Sequence, residues 1–124
     1  MLITVFTPTY NRAKLLPRLY KSLQEQTSKD FEWVIVDDGS TDNTKEVIDN
    51  IITQQENHFP IRYFYKENGG KHTAINQGVK EAKGELFFIA DSDDLLPNNS
   101  IEIVVNEFVK IKDKKEIGAI VGFD

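Results

Sequence analysis

Apolar residues in this chain fall into short uninterrupted runs separated by stretches of helical spacing. Runs rich in β-branched and aromatic residues stand at 2–6 (LITVF), 32–36 (EWVIV), 61–65 (IRYFY), 85–90 (ELFFIA) and 117–123 (IGAIVGF), and they predict five strands. Between them, Leu16, Leu19, Tyr20 and Leu23 share one helical face, with Pro17 tolerated in the first turn. Val47, Ile48, Ile51 and Ile52 share a second face, and Asn43, three residues before Glu46, is placed to cap that helix. Ala74, Ile75, Gly78, Val79 and Ala82 mark a third helix, with Gly84 expected as its C-terminal cap. Ile101, Val104, Val105, Phe108 and Val109 mark a fourth, entered through PNNS at 97–100. Continuous apolar strands alternating with amphipathic helices imply a mostly parallel sheet covered on both faces. The expected fold is therefore α/β, a three-layer α/β/α Rossmann-like domain.

This layout turns the loops into a pattern. TPTYNR (7–12), DDGSTD (37–42), KENGGK (66–71) and DSDD (91–94) each follow a predicted strand. The segments that precede strands, TSKD (27–30) and EAKG (81–84), are bland by comparison. In open α/β sheets ligands bind outside the carboxyl ends of the strands, so the function is expected on that one rim.

Bulk composition narrows the class. A chain of 124 residues suits one domain or part of one, and 40% hydrophobic with 28% charged residues is ordinary for a globular protein. There is no cysteine, hence no disulfide framework and no thiolate metal site, which is compatible with a cytoplasmic location. Apolar runs of about five residues are far short of the roughly 20 that span a bilayer. MLITVF lacks the basic leader and the long apolar core of a signal peptide. A net charge of -5 argues against nucleic-acid binding. The basic cluster KIKDKKE (110–116) reads most simply as a solvated helix end, so membrane-surface contact is not indicated.

The rim residues carry the candidate chemistry. Asp91 and Asp93, at i and i+2 after an apolar strand, can turn toward one centre, and oxygen-only ligation suits Mg²⁺ or Mn²⁺. The bland alternative makes these acids turn formers, with Asp94 or Asn98 capping the next helix. An EF-hand loop is excluded, because Leu96 or Asn43 stands where its glycine is needed. In DDGSTD, Gly39 allows a sharp turn that exposes Asp37 or Asp38, a carboxylate able to accept from a nucleobase N–H or a ribose hydroxyl; a plain turn and helix cap is the rival. Pro8 and Asn11 shape the first loop, Thr9 offers a hydroxyl, and Tyr10 is either a stacking platform or a core aromatic. Gly69 and Gly70 let backbone N–H groups approach an anion, and Lys71 adds a positive charge. The loop is not a P-loop, since Lys66 and His72 stand at its defining positions.

Taken in order, PTYNR, VIVDDGSTD, ENGGKHTAINQGVKEAKGE and FIADSDD resemble the inverting nucleotide-sugar glycosyltransferases called family two, which have the GT-A fold. The resemblance runs from Ile3 to about Asp94. It implies transfer of a sugar from a nucleotide diphosphate donor, UDP-linked by expectation, to a hydroxyl of an unknown saccharide or lipid-linked acceptor. It further implies that Asp38 binds the nucleoside, that Pro8, Thr9 and Tyr10 line the base pocket, and that Asp93 holds the metal, with Asp91 nearer the ribose and shared with the ion. Ile75 departs from the family's arginine in an ARN stretch, and Lys71 is expected to serve in its place. No general base is assigned. The family's base lies in the second half of the catalytic domain, so residues 1–124 are expected to be a donor-binding part without its acceptor half. Two other readings use the same acids: a metal-dependent phosphoryl- or nucleotidyl-transfer enzyme, and a non-catalytic nucleotide-binding module.

Overall fold

The computed structural model describes residues 2–54, 58–112 and 119–122. Among these, strands β1 (Ile3–Thr9), β2 (Phe31–Asp37), β3 (Ile61–Tyr65), β4 (Leu86–Ile89) and β5 (Ala119–Gly122) alternate with helices α1 (Leu16–Gln24), α2 (Thr44–Thr53), α3 (Lys71–Glu81) and α4 (Ser100–Lys112). All pairings are parallel, in the order β3-β2-β1-β4-β5. The expected strand–helix alternation is the one observed. Residues 117, 118 and 123 of the last predicted run, and 113–116 of the basic cluster, lie outside the described residues.

The sheet is covered on both faces, but unequally. One face packs Ile3, Val5, Trp33, Ile35 and Phe88 against Leu16, Leu19 and Leu23 of α1, Ile48 and Ile51 of α2, and Ile101, Val104 and Phe108 of α4. The other packs Phe6, Val34, Val36 and Phe87 against Ala74 and Ile75 of α3. Gly78 lets α3 lie directly on the sheet, since a Cβ there would fall 2.2 Å from the Phe6 ring. β1 is longer than its apolar run and continues through Pro8 and Thr9. Phe6 is the last β1 residue in register with β4, and its carbonyl accepts from Ala90 N–H. Pro8 faces the same side two residues on, beyond the end of β4. Its missing N–H therefore breaks no ladder bond.

Two expected caps are replaced by contacts from elsewhere. Gly84 does not cap α3, whose terminal position is Ala82. Gly84 instead donates its N–H to Thr4 Oγ1 (2.9 Å), and a Cβ on it would meet Thr4 N at 2.5 Å, so the residue is glycine to let the chain cross β1 closely. The first turn of α4 is served by a side chain distant in sequence. Buried Gln26 accepts from Ile101 N–H (3.0 Å) while its amide donates to the carbonyls of Ser22 (3.0 Å) and Pro97 (2.8 Å). An internal side chain thus satisfies a helix end that would otherwise be buried unpaired.

Candidate functional site

Because every strand is parallel, Thr9, Asp37, Tyr65 and Ile89 end on one edge, and the four polar loops leave from it. The first two loops are laced together. Asn11, at φ 51°, accepts from Thr41 N–H (2.8 Å) and Asp42 N–H (3.3 Å), while its own N–H donates to Ser40 Oγ (2.8 Å). Asp42, not Asn43, serves the start of α2. Its carboxylate accepts from Thr44 N–H (3.0 Å), from the Thr44 hydroxyl, and from Ala13 N–H (3.4 Å). Asn43 occupies the cap position without a side-chain bond.

The adjacent acids Asp37 and Asp38 divide their roles. Asp37 is fully buried and structural, accepting from Ser40 N–H (2.9 Å) and from the Tyr63 hydroxyl (2.6 Å). Burial and this neighbouring carboxylate push the Tyr63 hydroxyl pKa well up. Asp38 reaches the rim, where it is held by the third loop. Oδ1 accepts from Lys66 Nζ (2.9 Å) and Gly69 N–H (2.9 Å); Oδ2 accepts from Gly70 N–H (2.9 Å) and, at 3.4 Å, from the Asn68 amide. The anion that the glycine amides approach is thus the protein's own carboxylate. Burial alone would raise the Asp38 carboxyl pKa, but the bonds from Lys66, Gly69 and Gly70 outweigh it and hold the group below its ordinary value. Asp38→Ala is expected to lower stability by about 1–3 kcal/mol, since two amides and an ammonium lose their acceptor. A urea denaturation midpoint equal to the parent's would show that the carboxylate does not fasten this loop.

The fourth loop resolves the crowding of its acids locally. Asp91 N–H donates to Asp94 Oδ2 (2.8 Å) and Asp94 N–H returns to Asp91 O (2.9 Å), so Asp94 is a turn former. Lys71 Nζ lies 3.1 Å from Asp91 Oδ1, bringing the start of α3 against this loop and neutralising one acid. Asp93 is exposed, and no partner to its side chain is seen among the described residues.

All the residues expected at the site line a single cavity of about 750 Å³: Pro8, Thr9, Tyr10, Asp38, Lys71, Asp91 and Asp93. That volume suits a ligand of nucleotide size. Tyr10 is 46% exposed, which places it at the mouth of the cavity and not in the core. Thr9 Oγ1 is buried without a hydrogen-bond partner among the described residues. A hydroxyl left unpaired in a ligand-sized cavity is a place for a ligand to bond. Sequence reasoning assigned no role to Arg12 or Ser92, which also line the cavity, and gave Asn11, another lining residue, only the shaping of its loop. Arg12 sits within the quoted PTYNR and adds a second cation beside Lys71. His72 is exposed and is not a lining residue.

The donor set fits a hard divalent ion. Asp91 and Asp93 present oxygen only, and no third histidine, cysteine or acid converges with them among the described residues. Mg²⁺ is characteristically held by one or two carboxylates with substrate phosphates completing its shell.

Comparison with known proteins agrees with this fold. A sequence model of glycosyl transferase family 2 matches residues 4–124. Glycosyltransferase GlyG of Streptococcus pneumoniae is 39% identical over 107 residues, covering 86% of this chain and 35% of that protein. The crystal structure of S. aureus TarS 1–349 in complex with UDP superposes with a TM-score of 0.80 at 29% identity, over 90% of this chain and 33% of that one. Mannosyltransferase PcManGT from Pyrobaculum calidifontis, in complex with GDP-Man and Mn²⁺, gives a TM-score of 0.75 at 30% identity, over 90% and 32%. The chain spans about a third of the length of these relatives. No helix among the described residues is long and apolar enough to cross a membrane.

Proposed function

The chain belongs to glycosyl transferase family 2, and on that premise we propose that its rim cavity is the donor site of an inverting glycosyltransferase, binding a UDP-linked sugar with a divalent ion. The observation that carries this reading is the convergence in one cavity of an unpaired buried hydroxyl (Thr9), two cations (Arg12, Lys71) and a pair of acids (Asp91, Asp93). Nucleoside and diphosphate need those three chemistries side by side. Residues 1–124 form the donor-binding part of the enzyme in this reading.

The roles follow from position. Tyr10, exposed at the mouth, stacks on the base. Asp38 accepts from the base edge. Asp91 and Asp93 hold the ion, Mg²⁺ or Mn²⁺, with Asp91 also near the ribose. Lys71, 3.1 Å from Asp91 with most of its side chain in solvent, turns its ammonium to the diphosphate when that arrives. A divalent ion there supplies Lewis-acid neutralisation of charge on the leaving diphosphate. In an inverting displacement, the acceptor oxygen attacks the anomeric carbon from the face opposite the nucleotide. As that bond forms, the anomeric carbon–oxygen bond to the phosphate breaks, its electron pair leaves on the nucleoside diphosphate, and a base takes the hydroxyl proton. The acceptor, a saccharide or a lipid-linked sugar, meets the donor at the open side of the rim. UDP and GDP-Man both occur in the solved neighbours, so membership of the family does not choose the base.

Isothermal calorimetry tests the reading directly. The chain is expected to bind UDP more tightly with Mn²⁺ than without it, and Lys71→Gln is expected to weaken UDP binding about two- to fivefold, the range of an exposed charge contact. Failure to bind UDP in either condition would overturn the donor-site assignment.

A further inference from the structure

Asn11 lines the cavity with the orientation of its side-chain amide already decided. The amide oxygen accepts from Thr41 N–H (2.8 Å) and Asp42 N–H (3.3 Å), with the Thr41 hydroxyl at 3.5 Å. The amide nitrogen is a donor only and cannot take that place. Nδ2 therefore stands on the other side of the group, and its two N–H donors have no acceptor among the described residues. The residue is also held through its backbone. Its own N–H donates to Ser40 Oγ (2.8 Å), and it sits at φ 51°, in the left-handed region. Strand order puts the loop after β2 and the loop after β4 on opposite sides of the loop after β1. Bonded to Ser40, Thr41 and Asp42, Asn11 is fastened on the β2 side, toward Asp38 and away from Asp91 and Asp93. It directly follows Tyr10, the exposed ring at the cavity mouth.

We infer that Asn11 is a specificity-determining residue of the nucleoside pocket, which donates from Nδ2 to a keto oxygen at the base edge and so selects uracil over cytosine. The inference deepens the donor-site reading above and rests on it. Uracil carries a carbonyl oxygen, O4, that a fixed N–H satisfies. Cytosine has the same size but carries an amino group there, so two donors would meet with no acceptor between them. Thr9 Oγ1 does not make this choice, because a hydroxyl donates or accepts as its partner requires. Arg12, also a lining residue, is an exposed and flexible side chain that can turn away from an amino group. The Asn11 amide, pinned through its oxygen, cannot turn without giving up its bonds to Thr41 and Asp42. A buried donor left unpaired lowers affinity by about 10- to 100-fold.

Calorimetric titration of the wild-type chain, Asn11→Asp and Asn11→Gly with UDP and CDP, all with Mn²⁺, reads this out. The wild type is expected to favour UDP over CDP by about 10- to 100-fold. Aspartate keeps an oxygen for Thr41 and Asp42 and tolerates the left-handed backbone, but it puts an acceptor where Nδ2 stood. Its charge weakens both diphosphates together. The UDP:CDP ratio is nevertheless expected to fall by about tenfold or more, because the amino group of cytosine now finds an acceptor. Glycine, which adopts positive φ without strain, removes the donor and adds neither acceptor nor charge, and it should lower the ratio about threefold or more. A role confined to lacing the two loops would lower both affinities and leave the ratio unmoved. Two results would overturn the inference while leaving the donor site standing: CDP bound by the wild type as tightly as UDP, or an unchanged ratio in either variant that a thermal melt shows to be folded. Absence of binding of both nucleotides to the wild type would remove the donor-site reading itself, and the inference with it.

Discussion

Replacing Asp93 with alanine is expected to abolish the metal-dependent part of nucleotide binding while leaving the fold untouched. The two halves of that expectation have separate grounds. Asp93 is exposed and has no side-chain partner among the described residues, so its loss should change stability by no more than about 0.5 kcal/mol. It is also the acid of the pair that Lys71 does not neutralise, and hence the one whose full charge is offered to an ion. With only two carboxylates in the donor set, removing one should weaken Mn²⁺ binding roughly 100-fold or more, beyond the usual effect of altering an outer-sphere partner. Titration of Mn²⁺ in the presence of UDP, beside a thermal melt of the same variant, checks both. A variant that binds UDP and Mn²⁺ like its parent would take Asp93 out of the metal site.

The contrast with Asp38 shows which parts of the site were legible in the sequence. Loops that follow strands must gather on one edge once the sheet is parallel, so pattern alone puts the four polar loops on one rim. The choice of Asp38 over Asp37, and of Pro8, Thr9 and Tyr10 as lining, comes from the family resemblance. Chemistry that depends only on local order was equally plain: the paired acids of DSDD and the turn at Gly39. The sequence leaves Tyr10 open between rim and core, and its exposure in the structure decides for the rim. What escaped reading is what packing decides. Asp38 is fastened by amides about thirty positions away, so a loop expected to receive an outside anion had already received an inside one. Gln26 caps a helix start 75 residues later, and no local motif announces that bond. Asp42 takes the part given to Asn43 because it also ties Ala13, a link that follows from the close approach of the first two loops. Gly84 stands where a terminal glycine would, and yet its reason is steric contact with β1.

The largest stability effect is expected at the opposite end of the sheet, from Glu32→Ala. Glu32 lies near the amino end of β2 with a side chain only 1% exposed. It accepts from the Thr4 hydroxyl (2.7 Å), from Lys83 N–H (2.8 Å), and from Arg62 through Nε (3.1 Å) and Nη2 (2.8 Å). Three strands and the turn after α3 thus share one carboxylate. Alanine would leave the Thr4 and Lys83 donors unpaired and the partly buried guanidinium with only Glu81 as a polar partner among the described residues, through its carbonyl and a carboxylate oxygen at 3.8 Å. Removing one member of a buried pair typically costs about 3–5 kcal/mol, which for a domain of this size lowers Tm by roughly 10–20 °C.

The acid dependence gives that expectation a second check. Burial alone would raise the Glu32 carboxyl pKa, but the Thr4, Lys83 and Arg62 bonds outweigh it and hold the group below its ordinary value of 4.5. A carboxyl lowered on folding adds stability that is fully present above its unfolded pKa and is lost as pH falls through the folded one. The Tm gap between wild type and Glu32→Gln should therefore be widest at neutral pH and narrow steadily below about pH 4.5. Because the cluster lies far from the carboxyl ends of the strands, folded Glu32→Gln should bind UDP and Mn²⁺ like the parent. A gap that stays constant down to acid pH would mean that neutral hydrogen bonding, and not the ionised carboxylate, holds these strands.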